Sequence, residues 1–303
     1  MISFRYHIVS IVAVFLALAL GVVVGTTVLN GPVTNDLRKQ VSGLNTDKSN
    51  LSGQVNDLQS QVNGAGQFAA AFGGQVVQNK LKDKKVLIIA LPGASAASQA
   101  AIAAEIKAGG AQLTGQFVLS NDYVDPSSSS DINTLVTGSH PMALTLPSTS
   151  DGRQLGAAVL SYVLVGGGEP TDLTTVLSGF SSLHLTTSDP TTISPAKTIV
   201  VIGDGPTPAD GYAGQADLDL ITALQAQGAK IVVAGDGAAA TANGIVGLVR
   251  ASGVRATVST VDDATSAFGP ISTVLALAEV VNSRVGHYGT AKGADAPFPN
   301  LTS

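Results

Sequence analysis

The sequence predicts an α/β protein in which an N-terminal transmembrane helix and a coiled-coil stalk precede a Rossmann-like parallel-sheet domain. Three observations support this prediction. Residues 8–29 carry no charge, and leucines then recur every seven residues. Farther along the chain, short apolar runs alternate with helical segments across Gly-rich turns. The predicted divisions are an anchor, a stalk, an extracytoplasmic α/β domain and a disordered tail, at residues 1–30, 31–63, 81–288 and 289–303.

The anchor is predicted from the apolar segment Ile8 to Leu29, whose 22 residues match the length of about 20 that a helix needs to cross a bilayer. A cleaved signal peptide is the alternative, because Ala19 to Gly21 has the composition of a cleavage site. The apolar run continues to Leu29, which favours an uncleaved anchor. Arg5 and the α-amine predict a single-pass protein of the cell membrane with a cytoplasmic N-terminus and an extracytoplasmic bulk. The outer membrane is the alternative location.

The stalk is predicted from a heptad repeat with leucine at d and mostly valine at a, the pattern of a parallel two-stranded coiled coil. An amphipathic helix that packs back on the domain is the alternative. Gly43 and Gly53 each weaken a helix by about 1 kcal/mol. Two copies held in one membrane meet at a high effective concentration, which favours a homodimer. The predicted dimerisation seam consists of Leu37, Val41, Leu44, Lys48, Leu51, Val55, Leu58 and Val62.

The α/β domain is predicted from continuous apolar runs that end in turn residues, as in strands buried on both faces. Strands are expected at residues 86–91, 112–119, 198–202, 231–234 and 256–261. Helices are expected at residues 95–107, 131–136, 155–165, 171–180, 217–227, 238–251 and 271–284. The alternation predicts a parallel sheet with helices on both faces. The order of the pieces within residues 121–194 is left open.

One loop matches a dinucleotide fingerprint. Gly235-x-Gly237-x-x-Ala240 follows a predicted strand, and Asp262 lies near the end of the next one. The charge of Asp236 inside this loop opposes a pyrophosphate, so a tight strand-to-helix turn is the favoured interpretation. Asp262 and Asp263 are adjacent and would point to opposite faces of a strand, so they would not form a catalytic carboxylate pair. We expect them instead to cap the last helix.

The residue inventory argues against catalysis and direct metal binding. The chain has no cysteine, two methionines and no Gly-x-Ser-x-Gly motif, and its histidines at 7, 140, 184 and 287 are far apart. The sequence therefore predicts no catalytic residue, no cofactor site, no metal site and no enzyme activity. The 16 lysines and arginines are scattered, which predicts that nucleic acid is not a partner.

Both ends of the chain carry distinctive motifs. Near the N-terminus these are residues 1–7 (MISFRYH), Ser10, residues 13–19 (AVFLALA) and Gly21, and near the C-terminus they are residues 259–263 (STVDD), 275–279 (LALAE) and 286–289 (GHYG). With these motifs the chain resembles the actinobacterial MctB family. The resemblance implies a copper transport outer-membrane protein linked to copper efflux and homeostasis. A member called SteB implies a different role, a cell-division protein that partners the membrane protein SteA and regulates septal peptidoglycan hydrolase activity.

Two functional hypotheses follow. Short, uniformly apolar strands separated by helices are typical of a soluble α/β domain, and one transmembrane helix cannot form a monomeric pore. Copper prefers cysteine, methionine or clustered histidine ligands. The residues thus favour a dimeric envelope scaffold with a SteA-like protein as a candidate partner, whereas the resemblance favours copper transport.

Overall fold

The computed structural model describes residues 4–209 and 211–300, and it gives no side-chain description for residues 27–35. The first three residues of the predicted anchor and the last three of the predicted tail lie outside this range. The chain divides into two units, residues 1–64 and 65–303.

The described part of the chain contains eight α-helices and six strands. The helices are α1 (Phe4–Val77), α2 (Ala96–Ala108), α3 (Ser129–Ser139), α4 (Gly152–Val165), α5 (Pro170–Ser182), α6 (Tyr212–Ala226), α7 (Ile245–Ala251) and α8 (Gly269–Val281). The strands are β1 (Lys85–Ala90), β2 (Gln112–Val118), β3 (Thr198–Ile202), β4 (Lys230–Ala234), β5 (Ser259–Val261) and β6 (His287–Tyr288).

The first unit contains most of α1. Its segment Phe4–Thr26 is long and apolar enough to cross a membrane, and none of it is buried in the structure. Thr26 near its end donates its hydroxyl to the carbonyl of Val22 at 2.9 Å. Such a bond satisfies a polar group within the helix itself, as an apolar environment requires. The prediction of an N-terminal helix of membrane-spanning length is confirmed.

The second unit is built on a parallel sheet in the order β2-β1-β3-β4-β5-β6. Alternate residues of its central strands enter two separate cores, because successive side chains of a strand point to opposite faces. Ile199 and Val201 pack with α3 to α7 on one face, and Val200 and Ile202 pack with α2, α8 and the end of α1 on the other. The predicted α/β class with a parallel-sheet domain is confirmed.

Three element boundaries differ clearly from the predictions, and the first is that of helix α6, which begins at Tyr212 rather than at residue 217. Strand β5 begins at Ser259 rather than at residue 256, because residues 253–256 form a 3₁₀ turn. Helix α7 begins at Ile245 rather than at residue 238. The side chain of Asp236 accepts the amide hydrogen of Ala239 at 2.8 Å, and this local bond favours a turn over a helix.

The expected disorder of the tail also differs from the structure, which describes residues 289–300 in contact with the domain. Gly289 N donates to the carbonyl of Ala296 at 3.1 Å. The ring of Phe298 packs edge-on against that of Phe268, with 6.0 Å between centroids. Proline and glycine in this segment end regular structure without preventing these contacts.

Candidate functional site

The loops after β1 and β3 enclose a cavity at the carboxyl edge of the sheet. The chain leaves β1 toward β2 on one side, whereas β3 lies on the other side of β1 and continues the sheet toward β4. The order of strands reverses at this point, which is where open α/β sheets usually bind ligands. The cavity measures about 450 Å³, and its lining includes Pro92, Asp125, Asp204, Pro206 and Asp217.

Two carboxylates in this lining have an unsatisfied oxygen. Asp217, on α6, is 3% exposed, and its Oδ1 has no hydrogen-bond partner among the described residues. Asp204, directly after β3, accepts the amide hydrogen of Ser95 with Oδ2 at 2.8 Å, whereas its buried Oδ1 is unpartnered in the same part of the chain. Buried acceptors without partners are rare in folded proteins, so this pair marks the cavity as unusual.

A buried tyrosine, Tyr123, lies close to Asp217 and to its helical neighbour Asp219. Burial raises the pKa of Tyr123, and the charges of Asp217 and Asp219 raise it further. Arg153 is also near, and it is held by Asp151 through a 2.7 Å ion pair. The hydroxyl of Tyr123 is therefore neutral and remains a hydrogen-bond donor at physiological pH.

Asp217→Asn should stabilise the protein more at pH 8 than at pH 4. Burial raises the pKa of Asp217 well above its ordinary value. The folded state therefore binds this proton more tightly than the unfolded state, and stability is lost as pH rises from about 3.9 through the raised value. Asparagine carries no such proton. The melting temperature of variant and parent from pH 4 to pH 8 is the measurement, and a difference that does not grow with pH would contradict the assignment.

The fingerprint residues lie in a tight turn between β4 and α7. A Cβ on Gly235 would overlap the carbonyl oxygen of Gly203 on the neighbouring loop. The side chain of Asp236 accepts amide hydrogens from Gly205 at 2.9 Å and Ala239 at 2.8 Å. Because these amides bind Asp236 and α7 begins only at Ile245, the turn lacks the helix N-terminus that holds a pyrophosphate.

Alanine substitutions distinguish this turn from a nucleotide site. We expect Gly235→Ala to cost about 1–3 kcal/mol in the free energy of unfolding, because the added methyl meets fixed backbone. Gly237→Ala should stay within about 0.5 kcal/mol, since open space surrounds that position. Chemical unfolding of both variants measures the difference. A dinucleotide site would instead make both glycines necessary for ligand-dependent stabilisation.

The expectation that Asp262 and Asp263 cap the last helix is wrong. The residue before α8 is Phe268, and Ser266 Oγ accepts the amide hydrogen of Gly269 at 3.0 Å. Asp262 Oδ2 instead lies 2.8 Å from Arg250 Nη1, and both side chains are at least 96% buried. Asp262 is therefore an internal ion-pair partner.

The tail completes this buried ion pair. Asp262 Oδ1 accepts amide hydrogens from Thr290 at 2.8 Å and Ala291 at 3.1 Å. Arg250 donates to Thr260 Oγ1 at 2.8 Å and to the carbonyl of Tyr288 at 3.0 Å. The cluster joins β5, β6, α7 and the tail, so its role is structural.

The potential copper ligands are dispersed in the structure. Over residues 4–209 and 211–300, no three histidine, cysteine or acidic side chains lie together in a way that could hold a metal ion. His287 is buried with Nδ1 at 2.9 Å from Thr260 Oγ1, and burial lowers its pKa. His140 lies in a different region, with Nδ1 at 3.0 Å from the carbonyl of Val136. Met142 is fully exposed.

The predicted dimerisation seam lies on α1, with every apolar member 55–67% exposed. Lys48 is exposed as well. Apolar side chains of this size, repeated every seven residues and left open, are typical of a surface that pairs with another helix. Pairing itself stays a prediction. The members are Leu37, Val41, Leu44, Lys48, Leu51, Val55, Leu58 and Val62.

The sequence did not single out as a site the residues that line the cavity between the loops after β1 and β3. Asp204 lies in a Gly-Asp-Gly-Pro loop after a predicted strand, which is a weak signal for such a position. Asp217 has an acidic side chain at a buried helical position, but its burial is evident only once α6 is placed. The two come together because the chain turns back from β3 into α6.

Together, these features define an α/β protein whose parallel-sheet domain follows an N-terminal helix long and apolar enough to cross a membrane. The family model described as "Copper transport outer membrane protein, MctB" matches residues 1–299, and the chain belongs to this family.

Curated relatives match over nearly the whole chain. A protein named "Copper transporter MctB" from Mycobacterium tuberculosis strain H37Rv is 31% identical over 308 residues, covering 97% of this chain and 98% of the relative. A protein of the same name from Mycobacterium bovis matches with the same identity and coverage. Its namesake from Mycobacterium leprae is 30% identical over 312 residues, with the same two coverages. The segments that carried the C-terminal resemblance include Asp262, Glu279, His287 and Tyr288, all of which are buried in this structure.

Proposed function

We propose that this chain acts in copper homeostasis of the cell envelope as a membrane-anchored homodimer that holds its α/β domain for a partner protein. The observation that carries the proposal is the exposed seam of α1, where apolar side chains recur at the period of a parallel coiled coil. The apolar segment Phe4–Thr26 supplies the anchor. In this proposal the N-terminus is cytoplasmic, the α/β domain is extracytoplasmic and the protein is not an enzyme.

The link to copper comes from the family and from the names of the relatives. Copper conduction by a single copy of this chain is disfavoured, because the described residues contain one candidate membrane span and several spans are needed to enclose a pore. A copper relay within the chain is disfavoured because the chain has no cysteine, and its few histidines and methionines are far apart. We therefore propose that copper transport depends on a partner that this dimer positions.

A SteA-like membrane protein is a candidate for that partner, and a role in cell division is then the alternative function. The physical requirement is the same in both cases. A dimeric stalk presents two copies of one domain, so a membrane partner that engages both copies gains affinity from the high local concentration of the second. The exposed seam favours this bivalent arrangement over a monomeric one.

The proposal is tested by titrating purified full-length protein with Cu(I) and Cu(II), and by measuring copper flux into vesicles that contain it. We expect no stoichiometric high-affinity site and no flux above that of empty vesicles. The same vesicles with a known copper channel serve as the positive control. A tight copper complex, or flux that depends on this chain alone, would overturn the proposal in favour of direct transport.

A further inference from the structure

The cavity between the loops after β1 and β3 has a position and a lining that the proposed scaffold role does not use. It lies at the reversal point of the parallel sheet, where loops from different strands diverge and leave a crevice. Its volume of about 450 Å³ is in the range of small-molecule sites. Scaffolding through α1 requires no such crevice.

The unsatisfied groups in this cavity are hydrogen-bond acceptors. Asp217 lines it and is 97% buried as a residue, and Asp217 Oδ1 has no partner in the part of the chain that the structure describes. Asp204 Oδ1 is buried and unpartnered in the same sense, while Oδ2 is fixed by Ser95 N. A ligand that satisfies both oxygens must donate hydrogen bonds.

The charged side chains of the lining indicate the charge of the ligand. Asp125, Asp204 and Asp217 are the charged side chains of the described lining, and all three are acidic. Four prolines, at 92, 126, 206 and 208, also line the cavity and have no amide hydrogen to offer. The charged side chains of this surface are therefore all acceptors, and four of its residues offer no amide hydrogen, which disfavours phosphate and carboxylate ligands.

We propose that this cavity binds a small organic cation with N–H donors, a primary ammonium or a guanidinium group, between Asp204 and Asp217. A planar guanidinium or a three-donor ammonium has the geometry to satisfy separated carboxylate oxygens at once. A metal ion would need a closer set of ligands, and the described acidic and histidine side chains form no such group. Burial raises the pKa of Asp217, and a cation bound in the cavity lowers it again because a positive charge favours the ionised carboxylate.

This chemistry has two possible sources, a free amine and a basic side chain of a peptide. Isothermal titration of the full-length protein in detergent distinguishes them with four probes: methylammonium, methylguanidinium, and blocked tripeptides with a central lysine or arginine. Saturable binding of the first two indicates a free amine, and binding of the tripeptides alone indicates a peptide. Either result supports the proposal, and no saturable binding of any probe would overturn it.

Two variants and one further probe make the test specific. Asp217→Asn should weaken binding at least about tenfold, because a charge-assisted hydrogen bond is lost. It should melt no lower than the parent at neutral pH, which shows that the fold is intact. Asp219→Asn is the matched control, since Asp219 carries the same charge on the same helix but does not line the cavity. The affinity of this variant for the probes should stay within about twofold of that of the parent.

Tetramethylammonium, a cation without N–H donors, should bind at least about tenfold more weakly than methylammonium. Equal binding by Asp217→Asn, or by tetramethylammonium, would contradict the assignment.

Discussion

Replacing Leu44 and Leu51 together with aspartate is expected to abolish dimerisation of the full-length protein in a membrane. Both leucines occupy d positions of the predicted seam and are 67% and 60% exposed in the single chain. Each contributes about 1.5–3 kcal/mol when buried against its counterpart. The substitution also places like charges opposite each other, so the dimer dissociation constant should rise more than about 100-fold. Single-molecule photobleaching in vesicles at a fixed protein-to-lipid ratio measures the dimer fraction.

Ser49→Asp with Asn56→Asp provides the matched control for the seam variant. These two residues are also seven apart, and both are exposed on α1. They occupy b positions, so they add the same charge to the same helix away from the seam. The control should keep the dimer fraction of the parent within about twofold. Equal loss in both variants would indicate general disruption of the helix, and retention in both would refute the predicted seam.

Asp262→Ala is expected to lower the stability of the α/β domain more than Gly235→Ala or Arg255→Ala. It leaves Arg250 buried without its ionic partner and leaves the amides of Thr290 and Ala291 without an acceptor. Removal of one partner from a buried ion pair costs about 3–5 kcal/mol. For a domain of this size, the melting temperature should fall by about 6–20 °C. Thermal unfolding followed by circular dichroism measures the change.

The matched control for the buried pair is Arg255→Ala. Arg255 pairs with Asp295 at 3.0 Å, and the two side chains are 39% and 53% exposed. An exposed pair contributes about 0–1 kcal/mol, so this variant should melt within about 4 °C of the parent. Loss of similar size in both variants would mean that burial of the Arg250–Asp262 pair is not what determines its contribution.

The strands β1, β3 and β4 were predictable from the sequence because they are buried on both faces, whereas the two-residue strand β6 was not predicted. The run from Thr198 to Ile202 is apolar on both sides of the sheet, and its predicted limits match β3. Local signals also placed α2 well, since Ser95 accepts the amide hydrogen of Ser98 at the predicted start of the helix. These features depend on residues close together in the chain.

Features that depend on distant residues were not predictable in the same way. The predicted start of α7 was wrong because Asp236 accepts amide hydrogens from Ala239 and from Gly205, and the second of these donors lies 31 residues earlier in the chain. The role of Asp262 was missed because its partners include the tail, which its proline and glycine content suggested was disordered. The cavity carboxylates, Asp204 and Asp217, become a pair only through the path of the chain between β3 and α6.

Cysteine scanning along the seam tests the central claim, dimerisation through α1, most directly, and the chain is suited to it because it contains no cysteine. Single cysteines at Leu44, Leu51 and Leu58 should form disulfide-linked dimers in native membranes under mild oxidation, since facing d positions bring their Cβ atoms close to the distance of about 3.5–4.5 Å that a disulfide needs. Single cysteines at Ser49 and Asn56 should remain monomeric. Cross-linking with a period of seven is the predicted result, and uniform cross-linking, or none at any position, would contradict a dimer held by this seam.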